Sequence, residues 1–343
     1  MYVVLAILVF GLLIIVHELG HFLVAKAVGV RVNQFSIGLG PRIFGKKIGE
    51  TDFCLCALPI GGACVMEGED ETSDDDRAFG NKPVWARFLV LVAGSAMNFL
   101  MGLVIIAILA MPIKNINDNV IEGFPEVLGE TNGGLLAGDE ILKIDGERVI
   151  DPSRIAYLLS RSGENTHKIV VRRGGEKLTL ENVEIIPRDF GDGIGLRYGI
   201  NLKMEEANFF SKLGYSCKIA MEDVRIIRMS LVDLLTGGVK VSEMSGPVGI
   251  TAVMTQTAKT VSISALFELG AFIAINLAVM NMLPLPALDG GRVLFLAVEL
   301  ILMPFGKKLD PKYENYVHLA GLALFLALMV FVTYNDIVRL IKR

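Results

Sequence analysis

Apolar residues run almost unbroken from Tyr2 to Val28, from Phe88 to Met111, from Ala265 to about Leu285 and from Val317 to about Val332. A helix needs ~17 to 25 such residues to cross the hydrocarbon core of a bilayer, so the pattern predicts four transmembrane helices. Val293 to Met303 is also apolar but too short to cross, and reads as a re-entrant or interfacial piece. Met1 to Val16 has the apolar stretch of a signal peptide without its cationic start, which makes the first segment a permanent span.

Between the second and third segments the period changes. Glu140-Ile-Leu-Lys-Ile-Asp-Gly146 alternates apolar and polar positions and ends in an Asp-Gly turn, while Lys168 to Arg173 and Glu176 to Leu180 flank Gly174-Gly175 as a hairpin. Pro152 to Ser160 predicts a short helix that opens on proline. From Lys218 to Leu235 the apolar positions recur at helical spacing, with Lys218, Glu222 and Arg225 on another side. That is an amphipathic helix with too many charges to span, expected along the bilayer surface or against a neighbour.

Composition agrees with a lipid setting. Hydrophobic residues make up 52% of the 343 and the mean hydropathy is +0.54, above what a water-soluble domain carries. The net charge of -4 leaves no footprint for nucleic acid. Glu67 to Asp76 packs seven acids into ten residues and reads most simply as a solvated loop. Cys54, Cys56, Cys64 and Cys217 have neither disulfide-framework nor Cys-x-x-Cys spacing, so reduced structural thiols are expected rather than a second metal site. Lys26, Arg31, Arg42, Lys46 and Lys47 follow the first span and no basic residue precedes it, which places that loop in the cytoplasm. Arg292, Lys307, Lys308 and Lys312 agree with this orientation, whereas Arg339, Lys342 and Arg343 at the tail disagree.

Inside the first span sits His17-Glu18-Leu19-Gly20-His21. Ionisable residues at membrane depth are costly and mark function. At about 100° per residue, His17 and His21 fall on one helical face with Glu18 beside them, a spacing that supplies two zinc ligands and a carboxylate able to act as general base. A catalytic zinc needs a third protein ligand and an open fourth position. His167, in the soluble insert, and His318, at the edge of the last span, read more simply as surface or interfacial residues. Asp289 lies in Asn281-Met-Leu-Pro-Leu-Pro-Ala-Leu-Asp-Gly-Gly291, where prolines break the helix and glycines allow close backbone approach. By spacing alone it is either a ligand or an ordinary Asp-Gly turn.

These residues resemble a bacterial site-2 protease, an intramembrane zinc metalloprotease. His17 to His21 is similar to that family's metal-binding motif and Leu288-Asp289-Gly290-Gly291 to its distal motif. The resemblance implies Zn2+ held by His17, His21 and Asp289, with Glu18 as general base. Phe35 to Pro41 and Leu58 to Gly62 resemble a membrane-dipping β-structure beside the site, Asn208 to Phe210 and Ser245 to Ile250 a segment leading into the third span, and Gly134 to Ile141 with Ile144 to Gly146 a single PDZ domain. Two departures stand out: Ser95, where the family usually has proline, and Ala63-Cys64, where an aromatic more often follows the glycines.

The expected architecture is thus a polytopic α-helical membrane protein with four transmembrane helices, a membrane-associated β-structure after the first, and one inserted α+β PDZ domain between the second and third. Its parts are span one at 1–28, a cytoplasmic β-region and acidic loop at 29–87, span two at 88–111, an extracytoplasmic PDZ domain at 114–203, an amphipathic connection at 204–262, span three with the distal motif at 265–291, a cytoplasmic connection at 292–316 and span four at 317–334. Expected substrates are membrane proteins with one transmembrane segment, pre-trimmed outside, such as anti-sigma factors, or remnant signal peptides. Gly38, Gly40, Gly61 and Gly62 are candidates for an edge that receives the substrate backbone as an added strand, or for turns only. Asn281 is a candidate for substrate contact, or for bonding between helices. A PDZ scaffold with a structural zinc is the competing class; nothing in the sequence sets an oligomeric state.

Overall fold

The computed structural model describes residues 2–69, 71–129, 131–161, 163–190, 195–237, 246, 249–250, 263–305 and 311–342. Of the stretch expected to lead into span three, Ser245, Pro247 and Val248 lie outside the described residues, as do Lys307 and Lys308 of the last cationic connection. The chain divides into two compact units, residues 1–106 with 223–343, and residues 107–222.

In the first unit, four helices are long and apolar enough to cross a membrane. They are α1 (Tyr2–Ala27), α2 (Val84–Ala110), a helix over Ile263–Asn281 (α5) and one over Pro311–Lys342 (α7). Between α5 and α7 lies α6 (Asp289–Leu302). The distal motif therefore does not end span three, as expected over 265–291, but opens a separate helix. Pro284 and Pro286 donate no backbone N–H and Ala287 adopts a positive φ of 71°, so α5 stops at Asn281. The loop folds tightly, since a Cβ on Gly291 would lie 2.3 Å from the Leu285 carbonyl oxygen.

After α1 come two long strands, β1 (Val32–Ile48) and β2 (Thr51–Met66). Each bends, so Gln34 to Ile37 are flanked on both sides: Gly62 to Val65 pair in descending register and Asp52 to Leu55 in ascending register. Arg42 to Lys47 lie beyond Asp52 to Cys56, which leaves Gly62 to Met66 as the outer strand on the opposite side. Phe22 of α1 packs edge-on against Phe35 and Phe53 at 5.4 and 5.6 Å. Ala25, Val32, Phe35, Cys64, Val90 and Leu296 complete one apolar core that binds α1, the strands, α2 and α6.

The acidic loop is more than solvated. Arg31 pairs with Asp75, Glu67 accepts from Asn33 and Ser73, and Arg77 and Lys26 pair with Glu50. The Asn33 and Ser73 hydrogen bonds hold the Glu67 carboxyl below its usual range, the Arg77 backbone N–H and Arg31 do the same for Asp75, and Lys26 and Arg77 for Glu50 in the turn between β1 and β2.

The second unit holds a sheet in the order 201–206, 115–123, 140–144, 166–173, 176–184, with 147–148 beside 140–144. Alternation in Thr166–Arg173 buries His167, Ile169 and Val171 on one face, where buried Ile141 and Ile144 of the neighbouring strand lie opposite Val171 and Ile169. Asp145-Gly146 and Gly174-Gly175 both have positive φ at each position, as two-residue hairpin turns demand. A 3-10 turn at Pro152–Arg154 leads into α3 (Ile155–Arg161).

One expectation changes. His167, expected at the surface, is 1% exposed, because the strand alternation turns it inward. In α4 (Phe209–Thr236), read as an amphipathic helix with Lys218, Glu222 and Arg225 on one side, Lys218 is exposed while Glu222 and Arg225, with Asp223, are buried. Buried ionised groups persist where they have partners, and all three of these do.

Candidate metal centre

His17 and His21 project from the middle of α1, one turn apart, as their spacing requires. Helix α2 crosses them closely because both contact residues are glycine. A Cβ on Gly20 would lie 2.4 Å from the Ala93 carbonyl oxygen, and one on Gly94 would lie 2.4 Å from His21 Nε2. No larger residue fits at either point without moving a helix or an imidazole.

The His21 ring is oriented by Val90 of α2, whose carbonyl oxygen is 2.8 Å from Nδ1. A carbonyl can only accept, so Nδ1 carries a proton toward Val90 and Nε2 is the ring atom that faces His17 and Asp289. Asp289, first residue of α6, brings Oδ2 to 3.2 Å from His17 Nε2 and 3.3 Å from His21 Nε2. The two Nε2 atoms are 3.2 Å apart. Zinc bonds of ~2.0 to 2.1 Å in a tetrahedron make ligand edges of about 3.3 Å, so the triangle matches a zinc face. Asp289 Oδ2 is buried with no hydrogen-bond donor, and acceptors facing one another at this range call for a cation between them. Among the described residues this is the one group of three or more His, Cys, Asp or Glu side chains close enough to share a metal ion.

The triad opens into a cavity of about 610 Å³ lined by Glu18, Gly62, Cys64, Met66, Glu69 and Arg292, among others. Gly62 lies against Glu18, whose Cγ would be 3.1 Å from a Cβ built there. Gly38, Gly40 and Gly61 are not among the lining residues and all have positive φ, between 84° and 90°, so each answers a backbone demand. The Asn281 amide nitrogen stands 3.3 Å from His17 Nε2 and 3.5 Å from Nδ1, which brings that residue to the site at the end of α5. His318 is not in the triad. Its Nδ1 accepts the Ala287 N–H at 3.1 Å and its ring packs on Phe295, so it holds the loop ahead of Asp289.

Sequence reasoning missed Val90, Gly94, Glu69 and Arg292. The run Ala93-Gly94-Ser95-Ala96, small residues within a span, was the available sign of close helix contact. Nothing local marked Val90, which acts through its backbone. The cysteines are free, and no disulfide links those described. Burial pushes the Cys64 thiol up to about 12, with the Glu18 and Glu69 carboxylates adding to it.

A protein with two histidines and an aspartate converging inside apolar helices, beside a glutamate in an open cavity, has the site of a membrane-embedded metallopeptidase. Comparison with known proteins agrees. Residues 5–328 match Peptidase family M50, and the chain belongs to that family. It is similar to a putative zinc metalloprotease of Clostridium perfringens, 36% identical over 98% of this chain and 99% of the relative. It is also similar to the regulator of sigma-W protease RasP of Bacillus subtilis, 30% identical over 97% of both chains, and to a putative zinc metalloprotease of Helicobacter pylori, 30% identical over 98% of this chain and 99% of the relative. The resemblance drawn from the two motifs is borne out.

Proposed function

We propose that this M50 peptidase is a zinc-dependent intramembrane protease of the site-2 type, with His17, His21 and Asp289 holding the ion and Glu18 as general base. The observation that carries the reading is the triangle of His17 Nε2, His21 Nε2 and Asp289 Oδ2, with edges of 3.2 to 3.3 Å, at one end of a cavity that Glu18 also lines. The fit supports zinc, and a bound zinc ion supplies Lewis acidity at the scissile carbonyl. Glu18 takes a proton from the attacking water on a carboxylate oxygen and delivers it to the leaving amine nitrogen.

A helical substrate has its amides already bonded, so it must unwind before cleavage. The outer strand Gly62 to Met66 borders the cavity, and an extended substrate added there would have its backbone satisfied while a peptide bond faces Glu18. Asn281, with an amide at the same site, would contact substrate. Substrates of this reading are single-span membrane proteins trimmed beforehand, such as anti-sigma factors, or remnant signal peptides; the relative named regulator of sigma-W protease supports the former. The inserted sheet unit acts as a PDZ domain outside the cell, and the loop after α1 faces the cytoplasm, supported by its lysines and arginines. The PDZ domain would exclude substrates that still carry a bulky external domain. A scaffold with structural zinc would need neither a base nor an open cavity.

The test compares membrane peptides in cells making wild-type or Glu18→Gln protein. A set of single-span fragments should accumulate with the variant while zinc content stays at the wild-type level. Equal turnover by the two proteins sinks the mechanism.

A further inference from the structure

Helix α6 carries more than Asp289 on its inner face. Arg292, Leu296 and Glu299 follow at spacings of three, four and three, so the four residues form one stripe. Leu296 enters the core shared with α1, the strands and α2. Glu299 receives both Nη atoms of Arg87 at 2.8 and 2.9 Å, which fastens the far end of α6 to α2. Arg292, one turn from Asp289, pairs with Glu69.

Glu69 belongs to the other wall of the cavity. It lies three residues beyond Met66, the end of the outer strand, and its Oε2 accepts the Met66 backbone N–H at 3.4 Å. The loop around it is fixed in turn: the Glu67 N–H donates to the Arg31 carbonyl and the Phe79 N–H to the Glu67 carbonyl. Glu69 and Arg292 both line the cavity with side chains only 16% and 25% exposed. A pair this far out of water is costly to break singly, because the charge left behind has lost its solvent too.

We propose that Glu69 and Arg292 are positioning residues: their ion pair braces the strand edge Gly62 to Met66 against the first turn of α6 and so holds Asp289 on the metal. The inference rests on the reading of Asp289 as a zinc ligand. It assigns the near end of α6 a task that the Arg87–Glu299 pair at the far end does not share.

The experiment follows zinc release from the full-length, zinc-loaded protein in detergent into a chromogenic chelator. Glu69→Gln and Arg292→Gln should each release zinc about tenfold faster than wild type, the scale on which groups that orient metal ligands act. The double variant should match the singles, since both residues work through one contact. Arg87→Gln should release zinc within about twofold of wild type although it also loosens α6. Should a Gln variant fail to fold, Arg292→Lys keeps the charge and should release zinc close to the wild-type rate. Wild-type release from the single variants, effects that multiply in the double, or equal acceleration by Arg87→Gln would each overturn the proposal. Asp289→Ala is run alongside: if it releases zinc at the wild-type rate, the ligand reading fails instead.

Discussion

Among the described residues, buried histidines meet an aspartate in two places, and only one of them is built for a metal. In the sheet unit, His167 Nδ1 is 2.8 Å from Asp145 Oδ2, while Asp145 also accepts the Lys168 N–H from its place in a hairpin turn. That is a single buried ring donating to a single carboxylate at an exposed turn, and among the described residues no third His, Cys, Asp or Glu stands close enough to share an ion with them. In the helical unit, two rings and a carboxylate converge, one ring has its proton turned away by Val90, and the group opens into a cavity. A buried histidine in contact with an aspartate is therefore not enough. What separates a metal site from a structural staple is the number of lone pairs aimed at one point and the access to it.

The sharpest way to break this comparison is to remove one member of each arrangement. His17→Ala or Asp289→Ala should abolish cleavage and lower zinc occupancy sharply by elemental analysis, whereas Glu18→Gln should retain the metal and lose ~10²- to 10⁴-fold in turnover. His167→Leu should keep full zinc content. Its cost falls on the sheet unit, about 0.5 to 1.5 kcal/mol of stability in a denaturant series, the net worth of one hydrogen bond to a carboxylate that water can still reach.

Glycine substitutions sharpen the contrast with smaller effects. Gly94→Val drives a side chain into His21 and should empty the site while leaving helix content intact by circular dichroism. Gly146→Ala meets no atom within 4 Å but must keep a φ of 84°, so it should cost the sheet unit about 1 kcal/mol and nothing at the metal. Thiol reactivity gives a further comparison. Exposed Cys217 should react with a maleimide far ahead of Cys64, whose thiol is pushed up to about 12 by burial. Comparable rates would mean that the outer strand opens readily.

The smallest effect concerns pH. Glu67 and Asp75 in the folded loop and Glu50 in the β1–β2 turn have lowered values, so their contribution is complete above the ordinary carboxylate range and fades as pH falls through the lowered values. Proteolysis within 67–77 should accordingly be slow at neutral pH and quicken as pH falls below the ordinary carboxylate range, and a rate that stays flat through full protonation of the carboxyls would contradict these pairings.

The helical segments were legible because apolar runs of that length have few alternatives, and His17, Glu18 and His21 because helical spacing alone unites them. Asp289 needed the family resemblance, since a ligand 268 positions beyond His21 is brought there by packing and not by local pattern. The break at Pro284 and Pro286 was visible, but not that α5 would end at Asn281 and that Asp289 would open a new helix. His167 was misread because one polar residue at an inward position of an alternating strand looks like part of the exposed set. The burial of Glu222 and Arg225 in α4 was not legible, because helical periodicity reports two faces and does not say which is buried.

The central claim is that two imidazoles and one carboxylate hold zinc while a fourth position stays open. X-ray absorption at the zinc edge tests it most directly on the purified wild-type and Asp289→Ala proteins. The account predicts only nitrogen and oxygen neighbours at ~2.0 to 2.2 Å, two of them with imidazole outer scattering, and a changed spectrum or lost metal in Asp289→Ala. A sulfur shell at ~2.3 Å, or an Asp289→Ala spectrum identical to wild type, would contradict it.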